Sequence, residues 1–381
     1  MKKINYLLFL IFVIALTNCK KSTTSGSGND NSQPSSSYSF VLSGAPFLVA
    51  DGLGLAYFND ITVGVLKNNS SGIKLITASG NSTIVLDGMD LTKITSVSTL
   101  ITPNSQDTSS YYHNYIGLGK TIQDRNGILY SVFHAEWWNG RTLPGNVSGF
   151  FGSIGIGISN DGGKTFSLSS SPIIPTTYSR YISNGNADGG YGEPTITYNK
   201  DSSFVYVYFT DHNRDGRGVN ICMVKFNVLS HRVPDFTTCQ FLLYNSTFTT
   251  SIIRSAEIVS GGNYGDAIFP DVNYNNTTGK YYMVYNLNDY DEYFTRGIPT
   301  YSGIYLRESL DGINWTLTPQ KLISDWAIPF NVSSSYTWHP TIIYTSNDML
   351  QGYLVYSKSS LGLSTNGGHK MWAQPFKFVK K

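Results

Sequence analysis

The chain has 381 residues, with 27 Lys and Arg against 25 Asp and Glu and a net charge of +2. Charge this sparse and this mixed excludes a basic nucleic-acid-binding face. Aromatic residues make up 14% of the chain, 27 of them Tyr, and past residue 37 no stretch keeps a helical period, so the composition is that of an exported β-protein.

Residues 1–19 read as a secretion signal. Lys2 and Lys3 form a positive start, and residues 4–16 form an almost unbroken apolar run, of signal-peptide length and short for a membrane span. The segment ends Leu16-Thr17-Asn18-Cys19, which resembles a bacterial lipobox. The resemblance makes Cys19 the lipidated first residue of the mature protein, with acyl chains such as palmitate; an uncleaved anchor helix is the alternative. Acyl chains hold a protein to a membrane, each buried CH₂ adding about 0.8 kcal/mol. Lys20 follows, not the Asp that resembles an inner-membrane retention signal, so the expected location is the outer membrane or cell surface. Residues 20–37, rich in Ser, Thr, Gly and Asn, read as a flexible tether.

The remaining segment, 38–381, exceeds the ~250–300 residues at which one compact core stops growing, and no second linker divides it. A single modular domain follows, expected as a monomer. Three stretches supply the module: Glu193-Pro194-Thr195, Phe269-Pro270-Asp271 and His339-Pro340-Thr341, each opening a β-branched, Tyr-rich run followed by a turn and a second run. A spacing of about 70 residues in an all-β chain points to a β-propeller.

In chain order, blade one spans Asp60 and strands near 61–66, 73–78, 83–86 and 94–100. Blade two starts at His113-Asn114-Tyr115 and continues through 117–122, 128–134 and 151–159. Blades three, four and five open at Glu193, Phe269 and His339. Residues 39–42 complete blade five beside 371–379, closing the ring and removing two sheet edges. Five blades are expected, with six as the alternative if 39–56, 178–186 or 248–258 hide further strands. Cys222 and Cys239 are symmetric about a turn at 230–234, so a disulfide is expected in an oxidising compartment, with two buried thiols as the alternative.

Two hairpin motifs, Ser159-Asn160-Asp161-Gly162-Gly163-Lys164-Thr165-Phe166 and Ser309-Leu310-Asp311-Gly312-Ile313-Asn314-Trp315, resemble the Asp box of sialidases and other propellers. In such a turn the Asp holds backbone N–H groups, so Asp161 and Asp311 are expected to be structural. With the blade pattern, these motifs give a chain that resembles the five-bladed β-propeller glycoside hydrolases of the arabinanase, β-xylosidase and fructosidase type. That resemblance implies acidic residues around an axial pocket: Asp60 in blade one, Glu193 in blade three and Asp271 in blade four. It also implies an Asp in blade two, where this chain has Asn114.

Antiparallel order places the start of each first strand and the end of each second strand on one face. That face is expected to carry His134, Glu136, Asp211, His212, Asn288 and His339, with Trp137, Trp138, Arg141 and Tyr290 in its loops. Aromatic faces suit sugar C–H faces, and Asp, Asn and Arg suit hydroxyls. Glycoside cleavage needs one protonated carboxyl and one carboxylate. Glu193 is nominated as the acid and Asp60 as the base, with Glu136 or Asp271 as substitutes. Each has a structural rival: Glu193 as a strand cap, Asp60 as a turn residue, Trp137 and Trp138 as packing. No cofactor is expected; Ca²⁺ in the acidic loop 289–292 is the alternative, though that loop lacks the Gly and terminal Glu of a calcium loop. The partner is a glycan cleaved by a hydrolase or phosphorylase. A carbohydrate- or protein-binding propeller is the alternative, and a sialidase using Arg180, Arg254, Arg296 or Arg307 is the third reading.

Overall fold

A computed structural model describes residues 37–53, 55, 59–138, 149–178, 189–212, 219–260, 266–288, 302–325, 337–359 and 369–381. The signal segment, Cys19, all of the tether but its last residue, the acidic loop, Arg141 and Tyr290 lie outside the described residues.

The strands form a five-bladed propeller. Two begin the described chain, β1 (Tyr38–Leu42) and β2 (Phe47–Leu48). Blade one is β3 (Gly64–Asn69), β4 (Gly72–Ser79), β5 (Ser82–Gly88) and β6 (Ile94–Ile101). Blade two is β7 (Tyr115–Gln123), β8 (Leu129–Trp137), β9 (Phe151–Ser159) and β10 (Ser167–Leu168). Blade three is β11 (Gly189–Tyr198), β12 (Phe204–Asp211), β13 (Asn220–Val228) and β14 (Pro234–Leu242), with β15 (Phe248–Thr249) and β16 (Glu257–Ser260) at its outer edge. Blade four is β17 (Asp266–Asn275), β18 (Lys280–Asn288), β19 (Gly303–Ser309) and β20 (Gln320–Ser324). Blade five is β21 (Thr337–Tyr344), β22 (Gln351–Ser359) and β23 (His369–Lys380).

β1 supplies the fourth strand of blade five, from Tyr38 opposite Lys380 to Leu42 opposite Phe376. β2 also joins β23, and β15 and β16 extend blade three, so two of the segments weighed for a sixth blade are absorbed by existing blades. A short parallel pairing, Gly189 with Phe151 and Gly190 with Gly152, links blades two and three into one continuous sheet.

The core is a set of seams between neighbouring blades, which is how a chain this long avoids one oversized core. Alternation along β12 shows the logic. Val205, Val207 and Phe209 pack toward blade two, while Tyr206 and Tyr208 pack toward blade four. Side chains at i and i+2 share a face, so a strand buried on both faces reads as a nearly continuous apolar and Tyr-rich run. A further seam joins Ile343, Val355 and Met371 of blade five to Val63, Leu75 and Leu86 of blade one, completing the circle.

Both Asp boxes are hairpin turns following the third strand of their blades. Asp161 accepts from Lys164 and Thr165 N–H, and Asp311 from Ile313 and Asn314 N–H. The expected disulfide is absent: Cys222 and Cys239 are not joined. Near the turn Asn227 faces Asp235, a register that would bring the cysteines almost opposite each other. A β-bulge between Lys225 and Asn227 then slides it, so that Val224 faces Phe241 and the thiols are separated along the ladder. Cys222 instead faces Phe209 and Glu257 on neighbouring strands.

Candidate active site

The three X-Pro repeats fold alike. Glu193, Phe269 and His339 all have left-handed backbone, with φ of +43°, +58° and +48°. Each sits in a register shift of its blade's first strand: between Gly192 and Thr195, Ile268 and Asp271, and Trp338 and Thr341. Left-handed φ costs an L-residue on the order of 1–2 kcal/mol, and such strain gathers at functional sites. Here the bulges bring all three side chains to one cavity.

That cavity, of about 240 Å³, is lined from all five blades and therefore lies on the propeller axis. Asp60 comes from blade one. Tyr115, His134, Glu136 and Phe150 come from blade two, and Glu193, His212 and Val219 from blade three. Asp266, Ile268 and Phe269 come from blade four, and Trp338 and His339 from blade five.

Three imidazoles meet three carboxyls there. His212 Nε2 lies 2.8 Å from Glu193 Oε2, and His134 Nε2 lies 2.9 Å from Glu136 Oε1. His134 Nε2 is also 4.0 Å from Glu193 Oε1, so one imidazole stands between the Glu136 and Glu193 carboxyls. His339 Nε2 lies 3.7 Å from Asp60 Oδ1. The close approach depends on Gly192: a Cβ there would stand 2.8 Å from both His134 Cε1 and His212 Nε2.

Second contacts set the orientations. The Glu193 N–H donates to His134 Nδ1 at 3.3 Å, which leaves His134 its Nε2 proton for Glu136. The Trp138 indole N–H donates to the other Glu136 oxygen, and Trp138 N–H donates to Asn114 Oδ1 at 2.8 Å. Asn114, at the place where the resemblance implies an Asp, thus holds the loop that holds Glu136. On the opposite wall Phe269 stacks on His339, with ring centroids 4.1 Å apart, beside Trp338.

The surroundings push two carboxyls apart. Burial alone would raise the Glu193 pKa, but His212 beside it, with His134 and His339 further off, brings it down to about 2. Asp60 moves the other way: burial raises its pKa, and nearby Glu136 adds to this against the opposing pull of His339 and His134. The directions favour an ionised Glu193 and a proton held to higher pH on Asp60, whose side chain is about a third exposed (32%). The carboxylates also raise the His134 pKa against the effect of burial, whereas the Glu193 N–H directed at Nδ1 favours its neutral form.

Of the residues nominated from sequence, Asp60, Glu136, Glu193, His134, His212 and His339 line the cavity. Asp271 does not. It is fully buried in an ion pair with Lys120 Nζ at 3.0 Å, because it lies two residues, roughly 6.6 Å, further along its strand than the cavity-facing position. Asp211 is likewise buried, in contact with the Arg254 guanidinium. Trp137 is packed in the fold, Trp138 reaches the site only through Glu136, and Asn288 is buried opposite Asp266. Sequence reasoning missed Tyr115, Phe150, Val219, Asp266, Ile268 and Trp338 as lining residues. Trp338 was readable, since it directly precedes the His339-Pro340 repeat. Among the described residues no group of three or more His, Cys, Asp or Glu side chains is arranged to ligate a metal ion.

No protein-family model matches the chain, and no curated protein matches it by sequence. Solved structures do match in fold. An α-L-arabinofuranosidase from Lactobacillus brevis aligns over 84% of this chain and 92% of its own, at 11% identity and a TM-score of 0.51. An N-acetylgalactosamine deacetylase from F. plautii, solved with blood group B trisaccharide, aligns over 89% and 95%, at 12% identity and a TM-score of 0.50. The fold is thus that of propeller-type glycoside hydrolases, and it is shared by an enzyme named for different chemistry.

Proposed function

We propose that this protein is a glycosidase-like enzyme acting on glycans, tethered to a membrane surface through lipidated Cys19. The observation that carries the catalytic reading is the axial cavity itself, where Asp60, Glu136 and Glu193 converge and two have pKa values driven in opposite directions. Such a split is how one site supplies both an acid and a carboxylate. Asp60 donates its proton to the leaving glycosidic oxygen. Glu193, ionised beside His212, acts on the opposite side as base toward water or as nucleophile. Glu136, held by His134 and Trp138, is the third carboxyl. Phe269 and Trp338 offer apolar faces to the sugar ring.

An acid of this kind works only while protonated. Activity therefore extends upward from the Glu193 pKa near 2 and falls as pH rises through the raised Asp60 pKa. The test is a screen on aryl-glycosides and polysaccharides, with Asp60→Asn and Glu193→Gln as controls. Each substitution is expected to lower kcat by about 10²–10⁴-fold. Full activity in Glu193→Gln overturns the assignment. Glycan binding without turnover, equal in wild type and variants, favours a binding propeller instead.

The sialidase reading has little support, since Arg254 contacts Asp211 and Arg307 donates to Tyr285 and the Thr316 carbonyl; Arg180 and Arg296 lie outside the described residues. The reaction as written uses no cofactor, so activity is expected to survive EDTA. Anchoring is tested by incorporation of labelled palmitate, which Cys19→Ala should abolish.

A further inference from the structure

Asp271 was a poor catalyst candidate, but its contacts give it another place in the site. Its carboxylate is fully buried and is shared by four blades. Thr195 Oγ1 of blade three donates to Oδ1 at 3.1 Å, and the Ile342 N–H of blade five donates to Oδ2 at 2.8 Å. Asn273 Nδ2 of its own strand donates to Oδ2 at 2.8 Å. Lys120 Nζ of blade two lies 3.0 Å from Oδ1 and 2.8 Å from Asn273 Oδ1, so a tethered ammonium balances the buried charge.

The positions of these partners matter. Thr195 lies two residues after Glu193, Ile342 three after His339, and Asp271 two after Phe269. Each partner on blades three, four and five stands directly behind one of the three left-handed turns. A residue with left-handed φ is strained by its own Cβ, and the proline after it narrows its backbone further, so the turn holds only when its surroundings fix it. The hydrogen bonds just behind the turns provide that fixing, and they converge on one carboxylate.

We infer that Asp271 is a positioning residue of the cavity: its buried carboxylate ties together the three bulges that present Glu193, Phe269 and His339. The inference rests on the reading of the cavity as the working site, but its test needs no substrate. Imidazole titrations are followed by NMR in protein labelled at histidine, with His113 and His231, which do not line the cavity, as internal references.

Thr195→Val removes the link behind the Glu193 turn, together with the 3.5 Å bond that Thr195 Oγ1 accepts from the Val272 N–H, and leaves the Ile342 link behind the His339 turn in place. It should shift the His212 midpoint, through its Glu193 partner, by about half a pH unit or more, while His339 stays within about 0.2 units of wild type. Lys120→Met with Asp271→Asn removes both charges of the ion pair together and should move His212 and His339 alike. If the folded double variant keeps every cavity midpoint at its wild-type value, Asp271 serves stability alone and the inference is overturned. An equal shift of His212 and His339 in Thr195→Val would also overturn it, because the turns would not be tied separately. Should the double variant fail to fold, Thr195→Val decides. Shifted midpoints in a protein that cleaves no glycan would leave the positioning role standing and remove the glycosidase reading; cleavage with unmoved midpoints would do the reverse.

Discussion

The Glu193–His212 pair gives the sharpest quantitative test. Glu193 is almost fully buried, yet its pKa falls from the ordinary 4.5 to about 2 because His212 Nε2 sits 2.8 Å away. At 1.36 kcal/mol per pKa unit, this is about 3 kcal/mol of stability at neutral pH. The sign follows from linkage. A depressed carboxyl pKa stabilises the fold fully above the unfolded value, and that stability is lost as pH falls through the folded value. The contribution should therefore be about 3 kcal/mol at pH 7, roughly half of that at pH 3, and negligible well below pH 2. Glu193→Gln should lower the urea unfolding free energy by these amounts, with the gap to wild type closing as the solution is acidified. A Glu193→Gln protein as stable as wild type at pH 7, or more so, would refute the reasoning. It would mean that the carboxylate is strained by the cavity and not held by its imidazoles.

Three further outcomes are expected. Gly192→Ala should fold but lose activity by at least about 10-fold, because the added Cβ displaces His134 and His212; thermal melting and the aryl-glycoside assay check both halves. Phe40→Ala should destabilise the protein by about 3–5 kcal/mol in urea, since this fully buried ring stacks on Phe376 at 4.6 Å and helps bind the amino-terminal strand to the last blade. Thiol titration of the unfolded protein without reductant should find both Cys222 and Cys239 reactive, and reductant should leave the melting temperature unchanged.

The blades were legible because strands buried on both faces carry continuous β-branched and Tyr-rich runs, and because turn residues punctuate them. Closure of the ring by β1 followed from counting strands in blade five. The cysteine pairing failed for a reason no symmetric reading contains: one bulge between Lys225 and Asn227 moves every partner beyond it. Side-chain burial on the inner strands was the other hidden quantity. Asp211 and Asp271 look like His212 and Glu193 on paper, being polar residues at strand ends on the right face, but each is consumed by a half-buried cation. Sequence position identifies the strand end; it does not say whether a neighbouring blade sends Lys120 or Arg254 to meet it.

The variable residue before proline carries the remaining argument. A repeat that served only to build blades would accept any residue able to take the left-handed turn at least strain, with Gly first among them. This chain instead places Glu, Phe and His at the three turns, residues for which that backbone is uncomfortable, and turns all three into one cavity. Strain retained at equivalent positions, with three different side chains, is hard to reconcile with a purely structural repeat. The same fold serves an arabinofuranosidase and a deacetylase, so the scaffold does not choose the chemistry. What distinguishes this protein is the set of side chains at its three turns, where Glu193, Phe269 and His339 line one cavity and the Phe269 and His339 rings are in contact.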